Sequence, residues 1–221
     1  MSHQRPAFYF LAAIAFLLTC QFSKAQNSER FQKEVDSIVS HNLSVDRSDL
    51  ILFTGSSSIR MWKDLKKAFP NHNVVNLGFG GSEMADLLYY LDKLVLQFKP
   101  KQVFIYEGDN DIAVGRSPEK IFAAADATLA RIREELPQTE VIFISPKPSV
   151  ARWHMKDKYE AFNNSLQAWT KDKRNVTYAD VWTPMLKKDG VVRDDIFLRD
   201  KLHMNKKGYA IWTEELGKYL K

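Results

Sequence analysis

Short apolar runs alternate with longer amphipathic segments along the chain, and this alternation constrains the fold more than any other feature of the sequence. Each run is almost continuously apolar and is bounded by turn residues, which is typical of strands buried on both faces of a parallel sheet. The amphipathic segments between the runs are long enough to form helices that cover such a sheet. The runs predict five strands, over residues 50–54, 74–77, 103–106, 141–145 and 176–180.

Helix start signals support the same interpretation. The predicted helices span residues 29–40, 83–98, 118–136, 157–171 and 206–220. Pro118 stands at a first helical position, and polar residues that could cap a helix precede four of the five segments, namely Ser28, Ser82, Ser117 and Asn205. No linker, internal repeat or low-complexity tract interrupts the pattern. The sequence therefore predicts one doubly wound α/β domain over residues 26–221.

The first 25 residues differ in kind from the rest of the chain. Arg5 precedes an apolar run over residues 7–20, and the small residues Ser23 and Ala25 stand where a signal peptidase reads the chain. The run is shorter than the roughly 20 residues that a membrane-spanning helix needs. We therefore predict a signal peptide over residues 1–25, no integral membrane span and a secreted or periplasmic protein. The alternative is a bacterial lipoprotein, in which Cys20 would carry the lipid.

Composition narrows the possible partners and cofactors. The formal net charge is +5, but the basic residues are interleaved with acids, which indicates a solvated surface rather than a nucleic-acid-binding patch. Cys20 is the one cysteine, which excludes a disulfide framework and a cysteine-ligated zinc site. His41, His72 and His154 lie in separate segments without metal-ligand spacing, so we expect neither a metal site nor an organic cofactor. The sequence does not predict the oligomeric state.

A serine-rich loop follows the first predicted strand, at the sheet edge where folds of this kind bind their ligands. Ser57 could act there as a nucleophile, beside the positive end of the next helix. Serines in such loops also simply cap helices. The loop differs from the G-x-S-x-G elbow of α/β-hydrolases, because Ile59 occupies the position of the second glycine.

Two further loops carry groups that could stabilise a developing oxyanion. After the second strand, Gly81 could offer an unobstructed backbone N–H, although a tight turn explains the glycines equally well. Glu83 replaces the third glycine of a dinucleotide-binding loop, which argues against a nucleotide. After the third strand, Asn110 could supply an amide N–H or form a turn. The flanking acids, Asp109 and Asp111, are also candidates for the paired carboxylates of glycoside cleavage.

An acid and a histidine near the C-terminus complete a possible catalytic set. Asp200 precedes His203 by three residues, so its carboxylate could hold Nδ1 of the ring while Nε2 faces a nucleophile. A lone histidine is more often structural. The four segments nevertheless occur in this order, each at the mouth of the predicted sheet, and together they favour acyl transfer through a serine nucleophile.

These segments resemble the SGNH subgroup of the GDSL-type esterases and lipases, and above all its bacterial members related to platelet-activating-factor acetylhydrolase. The resemblance rests on GSSSIRMW from residue 55, NLGFGGSE from residue 76, EGDND from residue 107 and DKLH from residue 200. It implies a three-layer α/β/α sandwich with a five-stranded parallel sheet, similar to flavodoxin. It also implies that Ser57 is the nucleophile, with His203 as base and Asp200 as its orienting acid. The implied oxyanion donors are the backbone N–H groups of Ser57 and Gly81 and the side chain of Asn110.

One residue departs from the family pattern. Ser56 stands where the family usually has the aspartate of G-D-S. This substitution leaves the nucleophile open between Ser57 and its two neighbours, Ser56 and Ser58. It is also the one sequence feature that supports a non-catalytic carbohydrate-binding protein of the same fold.

The predicted function is hydrolysis of short-chain acyl esters, in particular O-acetyl esters of carbohydrates. Arg152 and Trp153 follow the fourth strand, and a cation beside an aromatic ring suits a sugar or an anionic head group. Trp153 could equally pack a loop onto the core. One alternative is a lysophospholipase or thioesterase that acts on lipid esters. Another is an acyltransferase, which would use the same residues to acylate a sugar hydroxyl.

Overall fold

A central sheet of five parallel strands, in the order β2-β1-β3-β4-β5, organises the domain. The computed structural model describes residues 27–221, so the predicted signal peptide and Cys20 lie outside the described residues. Each strand is within one residue of its predicted bounds at both ends, so the strand predictions are confirmed. The strands are β1 Ile51–Gly55, β2 Val74–Gly78, β3 Gln102–Tyr106, β4 Glu140–Ile144 and β5 Val176–Ala179.

Helices cover both faces of the sheet, as the α/β/α prediction requires. The α-helices are α1 Gln32–Asn42, α2 Ser57–Arg60, α3 Leu65–Ala68, α4 Met84–Tyr89, α5 Leu91–Leu94, α6 Asp109–Ala113, α7 Pro118–Glu135, α8 Lys156–Lys171 and α9 Lys206–Gly217. Short 3-10 helices span Ser28–Phe31, Leu96–Phe98, Trp153–Met155 and Thr183–Met185. No helix within residues 27–221 is long and apolar enough to cross a membrane.

Two apolar cores form because successive side chains of a strand point to opposite faces of the sheet. Leu52 packs on one face, against α1, α4, α5, α7 and α8. Ile51 and Phe53 pack on the other face, against α2, α3 and α9, where Trp212 is fully buried. Every residue of β1 is buried, because the strand lies between β2 and β3 and is covered on both faces. This arrangement explains why the apolar runs in the sequence are continuous.

The prediction of a single helix over residues 83–98 is wrong. The segment forms α4, α5 and the 3-10 helix Leu96–Phe98, with non-helical backbone at Tyr90 and Val95. Leu94, Val95 and Leu96 are all buried. Three consecutive residues of a straight helix point in directions about 100° apart and do not all face one core. Breaking the helix lets the chain bury these side chains together.

The helix caps agree with the prediction in part. The Asn205 side chain accepts hydrogen bonds from the backbone N–H groups of Lys207 and Gly208 and caps α9. Pro118 begins α7 as predicted, but Ser117 makes no side-chain cap there, and Ser28 lies within the first 3-10 helix. Ser82 is not a cap either. Its hydroxyl donates to Glu107, and Glu83 holds the position before α4.

Candidate active site

The turn between β1 and α2 places Ser57 at the carboxyl edge of the sheet. Gly55 ends β1 with φ of +113°, and an added Cβ would lie 2.2 Å from the carbonyl oxygen of Tyr106. Glycine is therefore required both for the backbone conformation and for the close approach of β3. The N–H of Ser56 donates to that same carbonyl oxygen at 3.0 Å. Ser57 follows as the first residue of α2.

A chain of hydrogen bonds joins Ser57, His203 and Asp200. Ser57 Oγ lies 2.9 Å from His203 Nε2, and His203 Nδ1 lies 2.6 Å from Asp200 Oδ2. Asp200 Oδ1 also accepts the backbone N–H groups of Leu202 and His203. Partial burial alone would raise the pKa of Asp200, but the hydrogen bonds from His203 and from the backbone lower it to about 2. Asp200 is thus an ionised acceptor that orients the imidazole.

The three serines of the turn have different partners. Ser56 is buried, and its Oγ accepts a hydrogen bond from Asn110 Nδ2 at 2.7 Å. Ser58 is also buried, and its carbonyl oxygen accepts the hydroxyl of Tyr209 at 2.9 Å. Ser57 is partly exposed, and its Oγ is the one bonded to the histidine ring. The geometry therefore favours Ser57 among the three candidate nucleophiles.

The predicted oxyanion donors come from the loops after β1, β2 and β3. Ser57 is the first residue of a helix, where backbone N–H groups have no partner within the helix. Gly81 has φ of +47°, and nothing lies within 4 Å of the point where its Cβ would stand. Asn110 Nδ2 donates to Ser56 Oγ and, at 2.9 Å, to the carbonyl oxygen of Ser82. The Asn110 amide thus ties the three loops together.

Two buried acids lie behind the loop that carries Gly81. Burial raises the pKa of Asp111 to about 7, even though the carboxylate accepts the backbone N–H groups of Met84 and Gly108. Burial also raises the pKa of Glu107 well above its usual value, and Ser82 Oγ donates to Glu107 Oε1 at 2.6 Å. Both acids therefore contact the segment after β2, Glu107 through Ser82 and Asp111 through Met84.

Asp109 is the centre of a buried polar cluster that the sequence did not reveal. Its carboxylate accepts the hydroxyls of Tyr106 and Tyr159, each at 2.7 Å, and the ammonium of Lys147 at 3.3 Å. Since Asp109 is held in this way and Asp111 accepts backbone N–H groups, neither carboxylate is placed for glycoside cleavage. The one signal in the sequence was Lys147, a cation three residues after the end of β4, whose side chain is 1% exposed.

Arg152 and Trp153 contact the protein itself. The guanidinium of Arg152 donates to Asp109 and, through Nη2, to Asn110 Oδ1 at 3.0 Å, so it faces α6 instead of presenting an open cation to solvent. The Trp153 ring stacks on Trp182 with ring centroids 6.0 Å apart. The loop-packing alternative for Trp153 therefore agrees with the geometry.

A cleft of about 590 Å³ adjoins the serine and histidine loops. Its wall includes Met204, next to His203, and Met61, whose N–H donates to the carbonyl oxygen of Ser57. Lysines 63, 67 and 206 also line it. Within residues 27–221, no group of three or more histidine, cysteine or acidic side chains has the geometry of a metal site.

The fold and this edge of the sheet define a class of protein, the ester hydrolases with a parallel five-stranded α/β/α domain. The chain belongs to the GDSL-like lipase/acylhydrolase family, whose sequence model matches residues 36–211. The match includes every residue of the predicted site, and the SGNH/GDSL resemblance is confirmed. Among curated proteins, none matches the sequence significantly.

Solved structures share the fold at low sequence identity. A candidate platelet activating factor from Streptococcus pneumonia has a TM-score of 0.78 at 22% identity, over 87% of this chain and 94% of that one. A GDSL-like lipase from Bacteroides thetaiotaomicron has a TM-score of 0.69 at 18% identity, over 88% and 97%. A catalytic mutant of an acetylxylan esterase from Geobacillus stearothermophilus has a TM-score of 0.65 at 14% identity, over 78% and 94%.

Proposed function

We propose that the protein is a serine esterase that cleaves short-chain acyl esters through Ser57, His203 and Asp200. The observation that carries the proposal is the hydrogen-bonded chain from Ser57 Oγ to His203 and from His203 to Asp200. His203 Nε2 takes the proton of Ser57 as Oγ attacks the ester carbonyl, and the carboxylate of Asp200 stabilises the imidazolium that forms. The alcohol leaves with a proton from His203, and the acyl group stays on Oγ. Water activated by the same histidine then releases the acid.

The negative charge of each tetrahedral intermediate needs fixed donors. The backbone N–H groups of Ser57 and Gly81 and the amide of Asn110 are the proposed set. Asn110 donates to Ser56 Oγ in the structure, so this N–H must be shared between Ser56 Oγ and the oxyanion when one forms. In the absence of substrate, Ser56 Oγ accepts the hydrogen bond that Asn110 would give to the oxyanion. Holding this amide is the role that we propose for Ser56, which stands in the aspartate position of G-D-S.

Carbohydrate O-acetyl esters are the proposed substrates. The cleft beside His203 carries charged side chains that could bind sugar hydroxyls, namely Lys63, Asp64, Lys67 and Lys206, among apolar groups such as Leu198. The acetylxylan esterase with the same fold acts on a substrate of this type. A lipid ester is the second candidate, because the similar Streptococcus protein is described as a candidate platelet activating factor. Transfer of the acyl group to a sugar hydroxyl would use the same site.

We also propose that residues 1–25 form a signal peptide and that the esterase acts outside the cytoplasm. The support is the basic start, the apolar run and the small residues before position 26. The test is the mass of the protein recovered from the periplasm or medium. A chain that begins at Gln26 supports the proposal, a lipidated chain that begins at Cys20 supports the lipoprotein alternative, and an uncleaved cytoplasmic chain contradicts both.

The function is tested with initial rates on p-nitrophenyl acetate, butyrate and octanoate and on acetylated xylo-oligosaccharides. Ser57→Ala should lower kcat by at least about 10³-fold. Ser165→Ala, which removes the exposed hydroxyl of a serine in α8, is the matched control and should leave the rates unchanged. A wild type no faster than Ser57→Ala on every ester would contradict the proposal and favour a binding protein. If an added sugar acceptor takes the acyl group in place of water, the protein is a transferase.

A further inference from the structure

The amide of Asn110 has a partner on each of its hydrogen-bonding atoms. Nδ2 donates to Ser56 Oγ at 2.7 Å and to the Ser82 carbonyl oxygen at 2.9 Å, and Oδ1 accepts Arg152 Nη2 at 3.0 Å. A flipped amide would set its NH₂ group against the guanidinium, which has donors only. Arg152 therefore determines which way the Asn110 donor points.

Arg152 is itself held by the buried carboxylate beside Asn110. Its Nη1 donates to Asp109 Oδ1 and, at 3.0 Å, to the Asp109 carbonyl oxygen. Burial would raise the pKa of Asp109, but the charges of Lys147 and Arg152 and the hydroxyls of two tyrosines hold it below its usual range. Asp109 thus anchors the guanidinium in one orientation through its carboxylate and its carbonyl oxygen.

Neutralising Asp109 does not by itself require Arg152. Lys147 contacts the same carboxylate, and its side chain is 1% exposed against 18% for Arg152. The cluster therefore sets two cationic side chains against one carboxylate. Arg152 also donates to the side chain of Asn110, a contact that Lys147 does not make.

We propose that Arg152 is a positioning residue for the esterase reaction, which fixes and polarises the Asn110 amide as an oxyanion donor. The inference rests on the proposed function of Ser57 and Asn110. A cation bonded to the amide oxygen draws electron density away from Nδ2, so its N–H groups become stronger donors. This effect acts on the transition state rather than on the bound ester, so it raises kcat and leaves KM nearly unchanged.

The test is a double-mutant cycle on p-nitrophenyl acetate, in the full chain as the expression host processes it. Arg152→Met should lower kcat by about 10-fold to 100-fold and change KM by less than about 3-fold. In the Asn110→Ala background, the same change should cost less than about 3-fold, because the group that it acts through is gone. Arg152→Lys should also lower kcat, since one ammonium does not reach both Asp109 and Asn110 as the guanidinium fork does. It is the variant to measure if Arg152→Met does not fold.

Arg133→Met is the matched control. Arg133 donates to three backbone carbonyl oxygens, those of Thr139, Arg174 and Asn175, so its loss should lower the melting temperature without changing kcat. Equal losses from Arg152→Met in the wild-type and Asn110→Ala backgrounds would overturn the inference, and so would a raised KM with kcat unchanged. Ser57→Ala, measured in parallel, distinguishes failure of this inference from failure of the proposed function. If Ser57→Ala is inactive and the cycle is additive, the inference alone fails; if Ser57→Ala is fully active, the proposed function fails and the inference falls with it.

Discussion

Ser57 and His203 are 146 residues apart in the chain, yet Ser57 Oγ lies 2.9 Å from His203 Nε2. Contacts made by neighbouring residues hold the two side chains at this distance. The segment before α9 closes on itself through an antiparallel bridge between Phe197 and Met204. The Tyr209 hydroxyl, from α9, donates to the carbonyl oxygen of Ser58 in α2. The histidine loop and the serine turn are thus joined through the first turns of two helices.

Replacing Asp200 tests whether the imidazole needs its carboxylate. Asp200→Asn should lower kcat by about 10²-fold to 10⁴-fold, because an amide does not stabilise the imidazolium and can favour the wrong tautomer. The measurement is kcat on p-nitrophenyl acetate. Asp194→Asn, an exposed acid paired with Lys201, is the matched control and should keep wild-type activity. Equal activity in the two variants would remove Asp200 from the mechanism.

Replacing Asn205 tests how the histidine loop is anchored to α9. Its Oδ1 accepts the N–H groups of Lys207 and Gly208, and its Nδ2 donates to the carbonyl oxygens of Asp195 and Phe197. Asn205→Ala should lower the free energy of unfolding by about 2 kcal/mol in a urea titration, and kcat should fall because His203 is less well held.

Ser117→Ala is the control for that variant, because Ser117 precedes α7 without capping it through its side chain. It should cost less than about 0.5 kcal/mol. If the two alanine variants lose equal stability, the cap of α9 is not a significant contribution.

The turn before Ser57 should tolerate no side chain at Gly55. Gly55→Ala should lower the free energy of unfolding by at least about 3 kcal/mol, because its Cβ would meet the Tyr106 carbonyl oxygen at a residue with positive φ. Gly190→Ala separates the effect of the positive φ from the effect of the close contact. Gly190 also has positive φ, but its Cβ would meet nothing within 4 Å, so the expected cost is about 1 kcal/mol. Similar losses in both variants would show that the close approach to β3 is unimportant.

The buried acid Asp111 should make stability depend on pH. Its pKa is raised to about 7, so between about pH 4 and pH 7 the folded protein keeps a proton that the unfolded chain has lost. The free energy of unfolding should therefore fall as pH rises through this window, by up to about 1.4 kcal/mol per pH unit from this group.

Urea titrations at several pH values between 5 and 7 measure this slope. Asp111→Asn should reduce it, whatever its absolute stability, while the exposed acid in Asp189→Asn should leave it unchanged. The slope from Glu107 has the same sign and remains in both variants. An unchanged slope in Asp111→Asn would contradict the expected protonation of Asp111 in the folded protein.

The strands could be predicted because their signal is local. A strand buried on both faces needs an apolar side chain at almost every position, as in β3 and β4, and such runs are visible without knowledge of the fold. The helix over residues 83–98 was mispredicted because its breaks depend on the core. Nothing in the local sequence specifies that Leu94, Val95 and Leu96 are buried together.

For the site, the sequence indicated candidate residues and their order along the chain. It identified the loops of Ser57, Gly81 and Asn110 because these residue types follow predicted strands, and the strand ends of a parallel sheet meet at one edge. The sequence suggested Asp109 as one of two carboxylates for glycoside cleavage, and it did not identify Lys147 and Tyr159 as partners of Asp109. The reason is that their partnership depends on how α8 and the loop after β4 approach α6.

The sequence by itself determined the fold class, the five strands and the chemical groups of the site, because hydrophobic periodicity and residue type are properties of the chain alone. Only the tertiary structure decided which serine meets His203, that Arg152 faces Asn110 instead of solvent, and that Asp109 is ionised in the interior. Hydrogen-bond partners and local electric fields depend on distances of a few ångströms between residues far apart in the chain. Packing of the helices on the sheet establishes those distances.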